Sequence, residues 1–584
     1  MCTFTRRNRR KVTGQQSAKE APQPVVRALH VENDTLPPTP RGRIETGILL
    51  NERRLENPPI GLHFYGGRLP SLSLIWGVPT VSPEAKRWVQ STTGQTMTLD
   101  EGAPTERLVC LDAEIMRIRL QTMDICSLPQ QALVNSVLQA YQSSPLRSRY
   151  PVVEPTLFQI TIASAYNQDG LTLDTRNANS RACVCAALAL IPLILEDYHG
   201  LSPTECDAFA TKAKCLMAEA LNGTPSLDCL QAALMLVSFP AAISLHGIIS
   251  RALQTAIYFN TIAARLVFML GGHITDHDRG ASSPGSDSRE ARHIRTLFWL
   301  CYLTDKDLTF RCGQPPAIDD SQCDLTLPPH YTRKMYPVVI DAGEIGLPAP
   351  DLPGSIIFPF DIRLSIIKSK IFAEIYSAAA LRKSQHQIEQ SIRDIEQNLG
   401  NWRHSIPPSW QPPPVGLMTE HAATSHPTPN ILLTWFEYYQ CVCMLHLVRG
   451  QYGISGKMHE VNDGHLLLLN LAVSIEASRR ILCHLDFAAS LRSPDASWLA
   501  TFSVPLAALV VFWSILQDPS RASARDDAQL LLPASGYLAA CHGTLGLPAP
   551  VLRHFRSMSH FVGEFYRLTI AATSVSALVP NQRR

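Results

Sequence analysis

The sequence is poor in charged residues. They make up 17% of its 584 residues, against about 25% in an average protein. Apolar residues make up 45%, so a chain of this length can bury a large core. Low charge combined with many leucines and alanines indicates extensive packing of helix on helix. Because the net charge is only +2, the molecule as a whole is not a polycation that binds nucleic acid through bulk charge.

Closely spaced cysteine pairs of the kind that hold zinc are missing. None of the 15 cysteines forms a Cys-x-x-Cys pair, and the pairs Cys183/Cys185 and Cys441/Cys443 lie inside apolar helical runs. Free cysteine is among the most buried residue types, and disulfides are rare inside cells. We therefore expect reduced, buried thiols. The opening MCTFTRRNRRK has no apolar segment, so we also expect no secretory signal.

Enzyme signatures are missing as well. The sequence has no Gly-x-Ser-x-Gly elbow, Walker loop, dinucleotide fingerprint or His-Glu-x-x-His pair. A cluster formed by His273, Asp276, His277 and Asp278 fits no standard metal spacing and continues into a Gly/Ser-rich stretch. We expect a solvated loop there, no metal site and no enzyme activity.

The longest uncharged apolar run, residues 496–516, reaches the length of a transmembrane helix. Pro505 interrupts it, and Asp495 and Asp518 flank it in place of basic anchors. These features favour a buried core helix, so we expect no membrane partner.

Positive charge is concentrated at the start of the chain. The first 20 residues contain six Lys/Arg and one Glu, and five of the basic residues form a cluster: Arg6, Arg7, Arg9, Arg10 and Lys11. Flexible basic side chains neutralise phosphates whatever the base sequence, and such a run can also serve nuclear import. The alternative is a solvated basic tail. Residues 1–60 are rich in polar residues and proline, and we expect them to be disordered.

Helical periodicity dominates the rest of the chain. We predict helices at 181–197, 203–221, 226–239, 245–271, 288–310, 361–403, 429–452, 463–488, 496–517 and 551–574. Residues 61–128 form a poorly defined linker region, and 406–428 form a Pro-rich loop. A helical domain is expected over 129–405, with a C-terminal helical part, 429–584, packed on it. No strand alternation is sustained enough to predict a sheet.

The segment 292–328 is the most informative of these elements. Asp287 and Glu290 give a helix start signal of the capping-box type, and Gly313 and Pro315 stop the helix. One face of this helix is apolar at helical spacing and is expected to be buried: it consists of Ile294, Leu297, Phe298 and Cys301.

The amino-acid sequence of this segment resembles the fungal-specific transcription factor domain. That family shows a basic residue, an aromatic pair, a Tyr, an Asp-Arg pair, a Gly-Arg-Pro turn and an acidic loop. The matching positions are Arg295, Phe298, Trp299, Tyr302, Asp305, Gly313 and Pro315. Lys306 and Gln314 depart from the pattern, since the family usually has Arg there. The resemblance covers residues 130–405 and extends loosely to the C-terminus.

The resemblance implies an all-α fold, namely a large helical regulatory domain of the middle-homology type preceded by a disordered basic tail. It also implies a nuclear transcription regulator that controls a gene set, often a metabolic or secondary-metabolite pathway. Its partners would be DNA, contacted weakly or through a partner, a second copy or a related chain in a dimer, and a small-molecule effector.

Cys2, followed by Thr3 and Phe4, resembles the last cysteine of a zinc cluster in this family. One thiolate cannot hold a structural zinc, which needs about four ligands. We therefore expect no cofactor in this chain, and zinc only if the N-terminus is truncated. Two alternatives stay open: a partner or antagonist of an intact zinc-cluster factor that lacks its own DNA-binding head, and a ligand-binding protein or enzyme that reuses the helical fold.

The motif side chains also allow two interpretations. Arg295, Trp299, Tyr302 and Asp305 could line an effector pocket. Helical spacing equally lets them form an internal ion pair and aromatic packing, and we favour this structural role.

Overall fold

The structure is a computed structural model, and it describes most of the chain from residue 63 to residue 578. The described residues are 63–64, 72–75, 78–81, 83–98, 127–167, 175–195, 198–243, 249–275, 287–312, 314–336, 358–415, 429–447, 463–485, 494–543 and 549–578. Cys2 and the basic cluster at residues 6–11 lie outside them.

Helices dominate the described residues, which confirms the all-α fold predicted from the sequence. The first nine are α1 (Pro83–Thr93), α2 (Gln131–Ser143), α3 (Leu146–Arg149), α4 (Pro155–Tyr166), α5 (Thr175–Ile194), α6 (Pro203–Ala220), α7 (Leu227–Ile243), α8 (Ile249–Met269) and α9 (Asp287–Cys312). The next nine are α10 (Tyr331–Met335), α11 (Ile362–Ile371), α12 (Gln385–His404), α13 (Pro429–His446), α14 (Asp463–Cys483), α15 (Pro494–Gln517), α16 (Ala524–Gln529), α17 (Leu531–Gly543) and α18 (Ala549–Leu578).

A small antiparallel sheet precedes the helices. Its strands are β1 (His63–Phe64), β2 (Leu72–Ile75) and β3 (Val78–Val81), in the order β1-β2-β3. Strands β2 and β3 pair in antiparallel register, from Leu72 with Val81 to Ile75 with Val78. The sequence analysis did not predict this sheet, because strands of 2 to 4 residues are too short for a sustained alternation.

The first of two hydrophobic cores is built around α5. Every side chain from Ala182 to Ile191 is buried, and α5 packs against α2, α4, α6 and α7. A helix that is apolar on all sides belongs in the centre of a large protein. By length and composition, the window Asn177–Ile194 could also cross a membrane, but 83% of it is buried inside the protein.

The second core is formed mainly by the C-terminal helices. Helix α15 packs against α13, α14 and α18, and nearly all its side chains from Phe502 to Leu516 are buried. The apolar run at 496–516 is thus a helix of this core over its described side chains, as the sequence analysis predicted. Helix α1 packs on α15 and α18 as well.

Helices α9 and α11 contribute to both cores. In α9, Leu297 and Phe298 belong to the first core, whereas Phe310 belongs to the second. In α11, Ile362 belongs to the first core and Leu364 to the second. The helix that carries the sequence motif therefore runs from one core into the other.

The prediction of a single helix over residues 361–403 was wrong, because the structure has two helices there, α11 and α12. Helix α11 ends at Ile371 and continues as a π-helical turn, Phe372–Tyr376, and α12 starts afresh after Ser384. There the hydroxyl of Ser384 accepts from the Gln387 amide at 3.3 Å, and the Gln387 side chain accepts from the Ser384 amide at 2.8 Å. This capping box satisfies the free amides of a new helix start.

Candidate functional site

The motif helix α9 is buried along most of its length. Leu297, Phe298 and Cys301 are inaccessible to solvent, and Ile294 is nearly so, which confirms the predicted apolar face. The helix ends at Cys312, directly before the predicted stop at Gly313, which lies outside the described residues. Pro315 follows in the loop after the helix.

Arg295 fastens α9 to two neighbouring segments. Its guanidinium donates to the carbonyl of Gly272 at 3.1 Å and to the carbonyl of Asp324 at 2.6 Å. It also lies over the rings of Phe298 and Trp299, at 4.6 and 4.9 Å from their centroids. Burial lowers the pKa of Arg295 from its ordinary value, but a guanidinium remains charged.

The aromatic residues of the motif pack on one another. The ring centroids of Phe298 and Trp299 are 5.0 Å apart, and those of Trp299 and Tyr302 are 5.8 Å apart. The hydroxyl of Tyr302 donates to Asp320 at 3.1 Å. Burial raises the pKa of Tyr302 far above its ordinary value, so this phenol stays protonated.

Asp305 holds the loop that follows α9. Its carboxylate accepts from the amides of Ala317 and Ile318 at 2.8 and 3.1 Å, and from the side-chain amide of Asn260 at 2.9 Å. Burial raises the pKa of this carboxyl despite the neighbouring Lys306. Arg295 does not pair with Asp305, because ten helical residues separate them by about 15 Å along the axis.

Lys306 also binds the loop that Asp305 holds. Its ammonium donates to the carbonyl of Ile318 and lies 3.4 Å from Asp305 and 3.2 Å from Asp320. It also lies 4.8 Å from the centroid of Tyr302. A lysine thus supports the loop where the family usually has an arginine.

A second buried ionic cluster begins on α9 at Asp307, the residue after Lys306. Arg311 donates to Asp307 at 2.6 Å. The ammonium of Lys368, on α11, lies 3.4 Å from Asp307 and 2.8 Å from Glu437, on α13. All four side chains are almost fully buried, so the cluster ties three helices together.

A third buried cluster centres on Asp361, at the start of α11. Its carboxylate accepts from the hydroxyls of Tyr331 and Tyr336, from Trp402 Nε1, and from the backbone and guanidinium of Arg363, at distances of 2.5 to 3.2 Å. The sequence analysis missed both this cluster and the one at Lys368. The cap position of Asp361 before α11 was the only local signal.

The described residues offer no metal site, since no group of three or more His, Cys, Asp or Glu side chains in them could hold an ion. The ring of His273 packs on Phe268 at 4.7 Å, while Asp276, His277 and Asp278 lie outside these residues. Cys183, Cys185, Cys441 and Cys443 are free and buried. That Cys2 holds no zinc in this chain stays a prediction, since Cys2 lies outside the described residues.

The described helices form a body in which the buried motif residues of α9 bond to neighbouring segments of the same chain. Residues 138–404 match the fungal specific transcription factor domain. Over these residues the chain carries the domain that the resemblance of its motifs implied.

Named relatives agree with this assignment. An ABC-transporter-regulating transcription factor of Aspergillus oryzae is 27% identical over 300 residues, which is 48% of this chain and 30% of the relative. The protein of the same name in Aspergillus fumigatus is 27% identical over 295 residues, with the same coverage. An uncharacterized transcriptional regulatory protein of Schizosaccharomyces pombe is 24% identical over 187 residues, 32% of this chain and 27% of the relative. The aligned region spans less than a third of each relative's length.

Proposed function

We propose that this protein is a transcription regulator that acts in the nucleus and controls a gene set of a metabolic or secondary-metabolite pathway. The observation that carries the proposal is the match of residues 138–404 to the fungal specific transcription factor domain, with relatives named as transcription regulators. The names of the Aspergillus relatives make ABC-transporter genes the first candidate targets to examine.

The distribution of charge supports a division of labour within the chain. The first 20 residues carry +5 and the whole chain +2, so the remaining residues carry −3. A slightly acidic body repels phosphate, whereas the basic cluster at residues 6–11 attracts it. We therefore assign DNA backbone contact, and nuclear import, to Arg6, Arg7, Arg9, Arg10 and Lys11.

For the motif residues of α9 we propose a structural role instead of an effector pocket. Arg295 and Asp305 already bond to backbone groups of the segments around α9. Since charge-assisted bonds of this kind are strong, an effector would have to displace them. The helical body would act as the regulatory part through dimer contacts, effector sensing at another place or coactivator contact.

The test uses the full chain, tagged at its C-terminus, in a fungal cell. We expect nuclear fluorescence, chromatin occupancy at a limited set of promoters, and changed transcripts of the same genes when the gene is deleted. Exclusion from the nucleus together with an unchanged transcriptome would refute the proposal.

A second experiment separates a DNA-binding regulator from a partner that lacks its own DNA-binding head. The purified chain is offered a pool of random duplexes. Selection of one sequence favours the first role. Occupancy in the cell without selection by the purified chain favours the second.

A further inference from the structure

The residues that match the family domain, 138–404, do not complete the second core by themselves. Helices α9, α11 and α12 contribute buried apolar side chains to it, whereas most of its other buried members lie on helices α13 to α18. These last six helices are here called the C-terminal helices. An apolar face of the matched segment is thus covered by the C-terminal helices. Its side chains in the second core include Phe310, Ile371, Ile395, Leu399 and Trp402.

Buried polar bonds cross the boundary between the matched segment and the C-terminal helices. The ammonium of Lys368, on α11, lies 2.8 Å from Glu437 on α13. The hydroxyl of Tyr376 donates to the carbonyl of Met444 at 2.6 Å. Since all four residues are almost fully buried, each group depends on a partner from the other side of the boundary.

Ring contacts cross the boundary as well. The ring of Trp402, on α12, stacks on Tyr438 of α13, with the centroids 5.5 Å apart and an interplanar angle of 17°. The guanidinium of Arg311, on α9, lies 5.6 Å from the ring centroid of Phe502 on α15. The boundary therefore has the matched aromatic and charged contacts of a protein interior.

The segment that follows α12 adds two hydrogen bonds to α13. Nε1 of Trp435 donates to the carbonyl of Trp410, and the hydroxyl of Tyr439 donates to the carbonyl of Pro413, both at 2.9 Å. Residues up to 415 therefore bind the C-terminal helices before the chain reaches α13.

The chain before the matched segment binds the C-terminal helices from another position. Val89 and Met97 are buried in the second core, and α1 packs on α15 and α18. The amide and the hydroxyl of Thr98 donate to Glu564 of α18 at 2.6 and 3.0 Å. The C-terminal helices are thus bound both by residues 83–98 and by the matched segment.

We propose that the C-terminal helices are the obligatory intramolecular partner of the matched segment, and that their non-covalent contacts hold the two together without a continuous chain. Obligate interfaces resemble a core cut in half, as this boundary does. Separation would uncover the apolar face of α9, α11 and α12. It would also part Lys368 from Glu437, and loss of one partner from a buried ion pair is strongly destabilising.

The test uses the full chain with a protease recognition sequence in place of part of residues 416–428, cut after purification. We expect the two pieces to elute together in size-exclusion chromatography, with the circular dichroism of the uncut chain. They should separate only at the denaturant concentrations that also unfold the helices. Separation into two pieces that keep their helices would overturn the proposal, and so would precipitation of the cut chain under native conditions.

Variants of the cut chain test whether the described contacts hold the pieces together. E437Q keeps the size of the side chain and removes the charge that pairs with Lys368. At a fixed denaturant concentration within the transition, it should raise the equilibrium constant for separation about tenfold or more, as expected for a bond between charged groups. The matched control is D526N, since Asp526 is an exposed acid on α16, and it should leave this constant unchanged.

A second pair of variants tests the apolar contacts by the same measurement. I395V removes one methyl group from a side chain that is 2% exposed and should raise the constant about fivefold, the usual effect in a core. I160V makes the same change on α4 at a position that is 65% exposed, and no effect is expected. If E437Q and I395V behave like their controls, these contacts do not hold the pieces together and the proposal is wrong.

Discussion

The ammonium nitrogen of Lys368 lies 2.8 Å from Oε1 of Glu437, although the two side chains are only 1% and 2% exposed. The same nitrogen lies 3.4 Å from Asp307. Burial lowers the pKa of Lys368, but the carboxylates of Glu437 and Asp307 outweigh it and hold the pKa above its ordinary value. Lys368 thus neutralises Glu437 and shares Asp307 with Arg311, at the place where α9 enters the second core.

Replacement of Lys368 should strongly reduce the free energy of unfolding. K368M leaves the carboxylate of Glu437 buried without its cation and leaves Asp307 paired with Arg311 alone, and we expect a loss of about 3–5 kcal/mol in the free energy of unfolding. Denaturant unfolding followed by circular dichroism measures this loss. In the double variant K368M/E437L a smaller loss is expected, because the buried carboxylate that K368M leaves without a cation is replaced by an apolar side chain. Equal losses in both variants would contradict a pairing role for Glu437.

Asp361 should be sensitive to removal of its charge alone. Burial would raise the pKa of this carboxyl, but the Arg363 guanidinium and the bonds from Tyr336 and Trp402 outweigh it and lower the pKa. In D361N the charged acceptor is lost, and we expect a loss of about 3 kcal/mol in the free energy of unfolding. W402F removes a single donor and should lose about 1 kcal/mol.

The pH dependence gives an independent check on Asp361. Because the pKa of the folded state is lowered, its stabilisation is complete above the ordinary value of 3.8 and disappears as the pH falls below that value. D361N should remove this component of the acid unfolding curve. If acid unfolds D361N and the unaltered protein at the same pH, the bonds to Asp361 add no net stability.

A buried histidine should make the first core sensitive to mild acid. His293 is 6% exposed, and its Nε2 lies 3.0 Å from Nε2 of Gln231. Burial lowers its pKa from 6.5 to about 4. The unfolded chain therefore binds the proton first, and the free energy of unfolding should fall by about 3 kcal/mol as the pH drops from about 6.5 to about 4.

H293Q, which cannot titrate, should flatten this part of the curve of unfolding free energy against pH. Thermal unfolding at several pH values measures it, with H404Q as the control, because His404 is an exposed histidine on α12. The same slope in both variants would show that another group causes the acid sensitivity.

These clusters show which features can be predicted from sequence. The buried face of α9 was predictable because Leu297, Phe298 and Cys301 repeat at the spacing of a helix. The break between α11 and α12 was not, since the apolar period continues across it and the capping box at Ser384 competes only locally. The pairing of Lys368 with Glu437 leaves no periodic pattern in the sequence. The two residues are 69 positions apart and meet only when α11 packs on α13.

Residues 83–98 show the same limit, since the amide and the hydroxyl of Thr98 donate to Glu564 of α18. Residues 61–128 have mixed apolar runs with glycine and proline, and nothing in them points to α18. The contact between Thr98 and Glu564 depends on the path of the whole chain between them. The family motifs were more informative, because several weak matches in the expected order indicated the domain that the comparison with residues 138–404 then identified.

DNA binding by the purified chain should be weak, dependent on salt and tolerant of sequence. The basic cluster offers about five phosphate contacts, so the logarithm of the affinity should fall with the logarithm of salt at a slope of about −4 to −5 on duplex DNA. Sequence-specific regulators gain about 4–10 kcal/mol more binding free energy from base contacts and DNA shape. A basic segment without a folded DNA-binding domain should gain little of this. Fluorescence anisotropy over a salt series measures the slope.

Changing Arg6, Arg7, Arg9, Arg10 and Lys11 together to Ala should abolish this binding and leave the helical content unchanged. A matched control replaces Arg393 and Arg403 of α12, which removes two charges from the body and should leave the salt slope unchanged. Binding of one short site about 1000-fold tighter than scrambled DNA at physiological salt would show that the chain contains a reader of base sequence. Retained affinity in the five-residue variant would move the DNA contact into the helical body, where the net charge of −3 outside the first 20 residues argues against it.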